Sequence, residues 1–270
     1  MLLSEVGYAR PASVEDAVRL LAENDGARPL AGGQTLLNVM KARAAAPDVL
    51  VDLAALEELR TISRTPEGGL ELGAMATCAQ LVGSADVNDV RPIVAQVVRQ
   101  IADVQVRNRG TIGGNVCSND PTNHLPPLTV ALGAEMTIVS GDGERTVPAD
   151  EFFLGVYMTA VGPGELLTRI TLPPPDGAGD GFASVTIGAD GTCIVNAAAS
   201  VGPEGARVAI GCVSAVPVLV TSAAEEGAVR EAVRAAELDP PSDVHGSAEY
   251  RRHLAEVVAS RAVAQAQERS

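Results

Sequence analysis

At 270 residues, 46% of them hydrophobic and 20% charged, the chain is long enough to bury a substantial core in two domains or one elaborated one. A formal net charge of −14 and an aromatic inventory of no Trp, three Tyr and three Phe argue against a nucleic-acid binder, which needs positive potential and stacking surfaces. No apolar run approaches the roughly 20 residues of a membrane span, and MLLSEVGYARPASVEDA lacks a basic stretch followed by an apolar core, so the reading is cytoplasmic, with no transmembrane segment.

In chain order, SVEDAVRLLAEN (13–24) opens with the S-x-x-D spacing of a capping box and repeats apolar residues at Val14, Ala17, Val18 and Leu21, which predicts a surface helix. RPLA then reads as a strand, Gly32-Gly33 as a turn, TLLNVMKARA as a helix and DVLVDL (48–53) as a strand. RTIS and LELGA flank a Glu-Gly-Gly turn as a hairpin, Thr77 with Gln80 starts another helix, and IVAQVVRQIA (93–102) is helical. PPLTVALGA is a short helix, EMTIVS and ERTVP are strands around Gly141-Asp142-Gly143, and ELLTRITLP (165–173) is a strand. The dense PPPDGAGDG (173–181) marks a domain boundary, after which FASVTI, CIVNAAASV and ARVAIGCVS read as strands and 222–237 and 247–267 as helices.

Two glycine pairs stand out. In LAGGQTLL (30–37), Gly32-Gly33 immediately precede a helix beginning at Gln34 and Thr35, so free N–H groups and the helix dipole converge as at an anion site. In RNRGTIGGNVCSNDP (107–121), Gly113-Gly114 read as a second turn flanked by Thr111 and Asn115, and two such turns could grip one pyrophosphate. Either pair alone is first of all a turn signal. No G-x-G-x-x-G joins a strand to a helix and no G-K-[ST] is present, so neither a dinucleotide fold of the usual doubly wound kind nor a P-loop fits.

The four cysteines, Cys78, Cys117, Cys193 and Cys212, form no C-x-x-C pair and read as buried small hydrophobes, neither iron–sulfur ligands nor a disulfide framework. His124, His245 and His253 have no ligand spacing, so no protein-held metal is expected and redox chemistry would be borrowed from an organic cofactor.

LAGGQTLLNVMK (30–41), LGAMAT (72–77), QVRNRGTIGGN (105–115), the Asp120-Pro121 step, GELLTRITLP (164–173) and GSAEYRRHLAEVVASRA (246–262) occur together in an order that resembles the flavin-binding medium subunits of molybdenum hydroxylases, the carbon monoxide dehydrogenase and xanthine dehydrogenase group. The likeness runs over essentially the whole chain. It implies an α+β protein: a two-lobed FAD-binding domain similar to that of vanillyl-alcohol oxidase at 1–174, with lobes of about 1–55 and 56–174, and a small α+β domain of antiparallel sheet plus helices at 175–270. By the same resemblance Leu30, Ala31, Gly32, Gly33, Gln34, Thr35, Leu36 and Leu37, with Thr111, Ile112, Gly113, Gly114 and Asn115, hold the pyrophosphate and ribityl chain. Ile101 and Ala102 line the cofactor cleft, or else pack in the core, and Asp120 and His124 belong to the polar motif near the flavin.

The resemblance further implies electron transfer. A large subunit carries molybdopterin and hydroxylates substrate, a small subunit with [2Fe–2S] clusters feeds FAD on this chain, and an external acceptor takes the electrons, in a dimer of heterotrimers. No general acid or base is required of this chain, which is expected to be inactive on substrate alone. Two departures fall near the flavin: His124 where relatives often have Asp, and Ser184, Ile187 and Gly188 where they commonly carry a lysine followed by arginines. Other readings are a scaffold subunit that has lost FAD, or a stand-alone flavin oxidoreductase.

Overall fold

The computed structural model describes residues 3–188 and 191–270. Its first part is a small parallel sheet. β1 (Gly7–Ala9) and β2 (Ala27–Leu30) flank β3 (Val49–Asp52), both parallel to it, with α1 (Val14–Glu23) and α2 (Leu36–Lys41) as the connecting helices. Ser13 caps α1 by accepting the Asp16 N–H, and the predicted stripe of Ala17, Val18 and Leu21 is buried with Val51, Leu53, Leu56 and Leu59.

The second part is a five-stranded antiparallel sheet in the order β4 (Ile62–Arg64), β5 (Leu70–Gly73), β10 (Leu166–Leu172), β6 (Glu135–Ser140), β7 (Gly143–Pro148). Between β5 and β6 the chain runs through α3 (Cys78–Gly83), α4 (Ala85–Val90), α5 (Pro92–Val98), α6 (Val104–Arg109), α7 (Ile112–Ser118) and α8 (Leu125–Ala131). Between β7 and β10 lie α9 (Ala149–Phe152) and a hairpin of β8 (Phe153–Gly155) and β9 (Met158–Thr159). Thr77 and Gln80 form the full capping box that their spacing predicts.

Two expectations change here. The helix anticipated through residue 102 stops at Val98, and Ala102 takes a left-handed conformation at φ 43°. The anticipated turn at Gly113-Gly114 is instead the first turn of α7, which Thr111 caps by accepting the Gly114 N–H.

The last part is an antiparallel sheet of β11 (Gly179–Ile187), β12 (Thr192–Gly202), β13 (Gly205–Gly211) and β14 (Val218–Ser222). α10 (Glu226–Ala235) and α11 (Ala248–Gln267) cover one face, burying Val195, Ala197, Val208 and Ile210 against Ala255, Val258 and Ala262. Across the sheet, Phe182, Ala198 and Ala209 join the core that holds α5, α7 and α8, so the C-terminal sheet is packed onto the helical layer beneath the cleft.

Candidate functional site

The chain leaves β2 at Leu30 and turns at Gly33, whose φ of 72° is the left-handed region that glycine tolerates without strain. From there into the first turn of α2, the N–H groups of Gly33, Gln34, Thr35 and Leu36 donate to no acceptor among the described residues. Four neighbouring donors at a helix start after a left-handed residue make a concave positive surface suited to phosphate oxygens. Leu37 and Leu30 pack behind this turn: a Cβ on Gly33 would lie 2.9 Å from Leu37 Cδ1 and 3.3 Å from Leu30 Cδ1.

The second glycine motif is built differently. Ile112 N donates to Ala76 O at 3.0 Å, Gly113 N to Ala74 O at 2.9 Å and Gly114 N to Thr111 Oγ1 at 3.0 Å. The N–H groups of Ile112, Gly113 and Gly114 are therefore consumed within the fold, and the expectation of two N–H-presenting glycine turns reduces to one. Gly113 is bare because a Cβ there would stand 2.6 Å from Ala74 O. Likewise a Cβ on Gly32 would stand 2.0 Å from Arg109 O, so the two motifs meet backbone to backbone at Gly32 and Arg109-Gly110. What α7 offers the cleft is the open side of Gly114 and the side chain of Asn115, whose buried Oδ1 has no partner among the described residues.

Together these segments enclose a cleft of about 690 Å³, within the range of roughly 300–1,000 Å³ usual for small-molecule sites. Of the residues singled out from sequence, Ala31, Gly32, Gly33, Gln34, Thr35, Leu36, Ile101, Ala102, Thr111, Gly113, Gly114 and Asn115 line it. Leu30, Leu37, Ile112, Asp120 and His124 do not. Ile112 is core. Asp120 stands one step back: its Oδ1 accepts from the Thr122 N–H and hydroxyl, and its Oδ2 accepts from the Tyr157 hydroxyl at 3.2 Å.

His124 is neither exposed loop nor cleft wall. It is 6% exposed, its ring stacks on Phe182 of β11 with centroids 5.3 Å apart, and its Nε2 is buried without a partner among the described residues. Burial holds its pKa below the ordinary histidine value. Ser184 also lies off the cleft wall, with its Oγ 3.5 Å from Gln100 Oε1.

The structure adds lining residues that the sequence did not single out, among them Arg28, Cys78, Cys117, Ser118, Asn123 and Tyr157. Asn123 Nδ2 donates to Asn115 O at 3.0 Å and to Ser118 Oγ at 3.1 Å, so the Asx turn begun by Asp120 folds Asn123 back onto α7. Arg107 holds the left-handed turn at the cleft by donating Nη1 to Ile101 O and Ala102 O at 2.8 and 2.7 Å. Burial raises the Cys78 thiol to about 11 and the Cys117 thiol to about 12, so both stay neutral and add no negative charge beside an anion. Burial and the Asp120 carboxylate raise the Tyr157 phenol above its ordinary value, which keeps it a donor.

Comparison with known proteins decides what the cleft belongs to. The profile of the FAD binding domain in molybdopterin dehydrogenase matches residues 4–175, and that of the CO dehydrogenase flavoprotein C-terminal domain matches 182–266. The chain belongs to the FAD-binding medium subunits of molybdenum hydroxylases. Among these relatives, it is 38% identical over 290 residues to the carbon monoxide dehydrogenase medium chain of Afipia carboxidovorans, covering 100% of this chain and 99% of the other. It is 35% identical to the nicotine 6-hydroxylase medium subunit of Paenarthrobacter nicotinovorans, covering 98% and 99%. The fold superimposes on the Cu,Mo-CO dehydrogenase crystal structure with a TM-score of 0.94 at 36% identity, covering 100% of both chains. With quinoline 2-oxidoreductase from Pseudomonas putida 86 the TM-score is 0.91 at 32% identity, covering 99% of both. As a medium subunit the chain is an oxidoreductase subunit with FAD as its cofactor. The cleft fits that cofactor on its own terms, through the unpartnered N–H row at Gly33–Leu36, the orphaned Asn115 Oδ1 and the volume. Among the described residues no helix is long and apolar enough to cross a membrane.

Proposed function

We propose that this chain is the electron-transferring flavin subunit of a heteromeric molybdenum hydroxylase. It receives electrons from a small [2Fe–2S] subunit and delivers them to an external acceptor, while a large molybdopterin subunit oxidises substrate. The observation that carries this reading is the row of N–H groups from Gly33 to Leu36, without acceptors among the described residues, in the wall of a cleft of dinucleotide size. Relatives matched along their whole length are named as medium chains or subunits, which supports assembly with further subunits; a dimer of heterotrimers in the cytoplasm is part of the proposal.

FAD supplies reversible electron transfer when bound. The chain's own residues do the rest. Gly33, Gln34, Thr35 and Leu36 hold the pyrophosphate, Asn115 and Thr111 hold the ribityl side, and Ile101 and Ala102 shield one wall. Leu30, Leu37 and Ile112 support these segments from behind. Asp120 acts through Tyr157, and His124 through its packing on Phe182. The division into 1–174, with lobes of about 1–55 and 56–174, and 175–270 belongs to the same reading. It is supported by the Pro-Gly segment before β11 and by a hydrophobic cluster confined to the C-terminal sheet and its helices, beside the larger core that Phe182, Ala198 and Ala209 share with the helical layer.

The test is spectroscopic and kinetic. The chain should yield one FAD per polypeptide on denaturation, and it should show no turnover of aldehydes, N-heterocycles or carbon monoxide by itself. With its partner subunits, flavin reduction should follow substrate addition. A chain free of flavin in the native complex, or one that oxidises substrate alone, overturns the proposal.

A further inference from the structure

Tyr157 is the one aromatic side chain among the residues lining the cleft, and it is 63% exposed there. Tyr157 sits in the left-handed region at φ 57°, a conformation that residues other than glycine rarely adopt. Three bonds to one residue hold it there: Tyr157 N donates to Asn119 O at 3.2 Å, and Asn119 Nδ2 donates to Gly155 O at 2.7 Å and to Met158 O at 3.3 Å. Asn119 is itself 2% exposed and left-handed at φ 37°, so a buried residue at the end of α7 fixes the hairpin tip. The hydroxyl is tied to Asp120 Oδ2, which anchors the outer end of the ring at the cleft wall. Strain kept in place by hydrogen bonds to a buried residue at a cleft is a reason to look for a ligand contact.

We infer that the ring of Tyr157 is the platform on which the isoalloxazine of the flavin lies. The inference rests on the reading of the cleft as the FAD site and adds the residue that holds its reactive ring. Position favours this ring over the adenine. The phosphate-binding turn meets the N-terminal end of α7, at Arg109-Gly110, whereas Asn119 and Tyr157 stand at its C-terminal end. Seven helical residues separate the two ends by about 10 Å. An open ribityl chain spans such a gap, and the closed ribose on the adenine side holds its base nearer the phosphates. The same end of the cleft carries Asn123, whose Nδ2 is spent on Asn115 O and Ser118 Oγ and whose Oδ1 is left to accept from the polar edge of a flavin.

The experiment uses the emission of FAD bound to the full chain. A phenol or indole in contact with an excited isoalloxazine quenches it, a phenyl ring does so poorly, and an aliphatic side chain does not. The chain has no Trp, and neither Tyr8 nor Tyr250 lines the cleft, so contact quenching by an aromatic side chain lining the cleft has one source. Bound FAD should be strongly quenched in the wild type, brighter severalfold in Tyr157→Leu and Tyr157→Phe, and quenched again in Tyr157→Trp. FAD released on denaturation is measured in the same samples. Stoichiometric FAD with unchanged emission in Tyr157→Leu and Tyr157→Phe overturns the role of Tyr157, whether because the ring meets the adenine or meets nothing. A wild-type chain without FAD overturns the reading of the cleft instead.

Discussion

Arg91, the residue before α5, holds Asp180 of β11 by donating Nη1 to both carboxylate oxygens at 2.8 and 2.7 Å. Its Nη2 also donates to Pro173 O and Pro174 O at 3.2 and 3.1 Å. The two side chains are 3% and 8% exposed, so this is a buried clamp between the helical layer and the C-terminal sheet across the Pro-rich connection. Removing one partner strands the other charge in the interior, and Arg91→Leu should cost about 3–5 kcal/mol. Exchanging both, Arg91→Leu with Asp180→Leu, should recover part of that, since only the two proline carbonyls remain undonated. Urea unfolding of the three chains checks it. A single variant within about 1 kcal/mol of wild type would mean the pair behaves like a surface one.

The glycines divide into two kinds, which mutation should separate. Gly32→Ala and Gly113→Ala drive a methyl into backbone oxygen at 2.0 and 2.6 Å, so both should fall in yield and melting temperature whether or not FAD is present. A Cβ on Gly114 meets only Thr111 Oγ1 inside 3.0 Å, and the residue lines the cleft, so Gly114→Val adds its bulk at the cleft wall. Its main loss should therefore be FAD per chain, with a modest loss of stability from the disturbed cap. Equal FAD content in Gly114→Val and wild type would remove Gly114 from the binding surface.

Much of this architecture is legible from local pattern. Ser13 and Thr77 announce their helices, alternation marks β6 and β10, and the Pro-Gly run at 173–181 separates the last sheet from the rest. The failures are of two sorts. Gly113-Gly114 looked like a turn because glycine lowers helix propensity, and the T-x-x-G start lacks the Glu or Gln of a capping box; tertiary bonds from Ile112 and Gly113 to Ala76 and Ala74 impose the helix. His124 and Tyr157 depend on partners far along the chain. Nothing near His124 reveals that Phe182 will cover it, and β8 and β9 are too short to show an alternation that would place Tyr157 at the cleft.

Ala102 offers a test of backbone strain at the cleft. Its φ of 43° suits glycine better than alanine, and Arg107 holds the turn through both carbonyls. Ala102→Gly should therefore lose little stability or gain some, up to about 1 kcal/mol, since relief of strain opposes the greater freedom of the unfolded chain. Arg107→Gln should destabilise the turn, and less so on an Ala102→Gly background. A double-mutant cycle in thermal unfolding, with FAD content followed in parallel, measures that coupling. Strict additivity would show that Arg107 does not support this turn.

His124 gives a pH dependence whose sign is fixed by its burial. Desolvation lowers its folded-state pKa below the ordinary value of about 6.5 that it regains on unfolding, and the Thr122 backbone offsets this only partly. Above about 6.5 both states are neutral and His124 contributes no slope. As pH falls below that value the unfolded chain takes up the proton first, so stability is lost through the window down to the folded pKa. His124→Phe keeps a ring to stack on Phe182, removes the partnerless Nε2 and cannot titrate. Wild type minus variant stability, from denaturant unfolding between pH about 7 and 5, should fall as acid is added. The carboxylates held low by arginines, Asp243 by Arg251 and Glu165 by Arg145, titrate below that window and are common to both chains, so they cancel in the difference. A flat difference across the window would place a proton-accepting partner or water at Nε2 and return His124 to the ordinary histidine range.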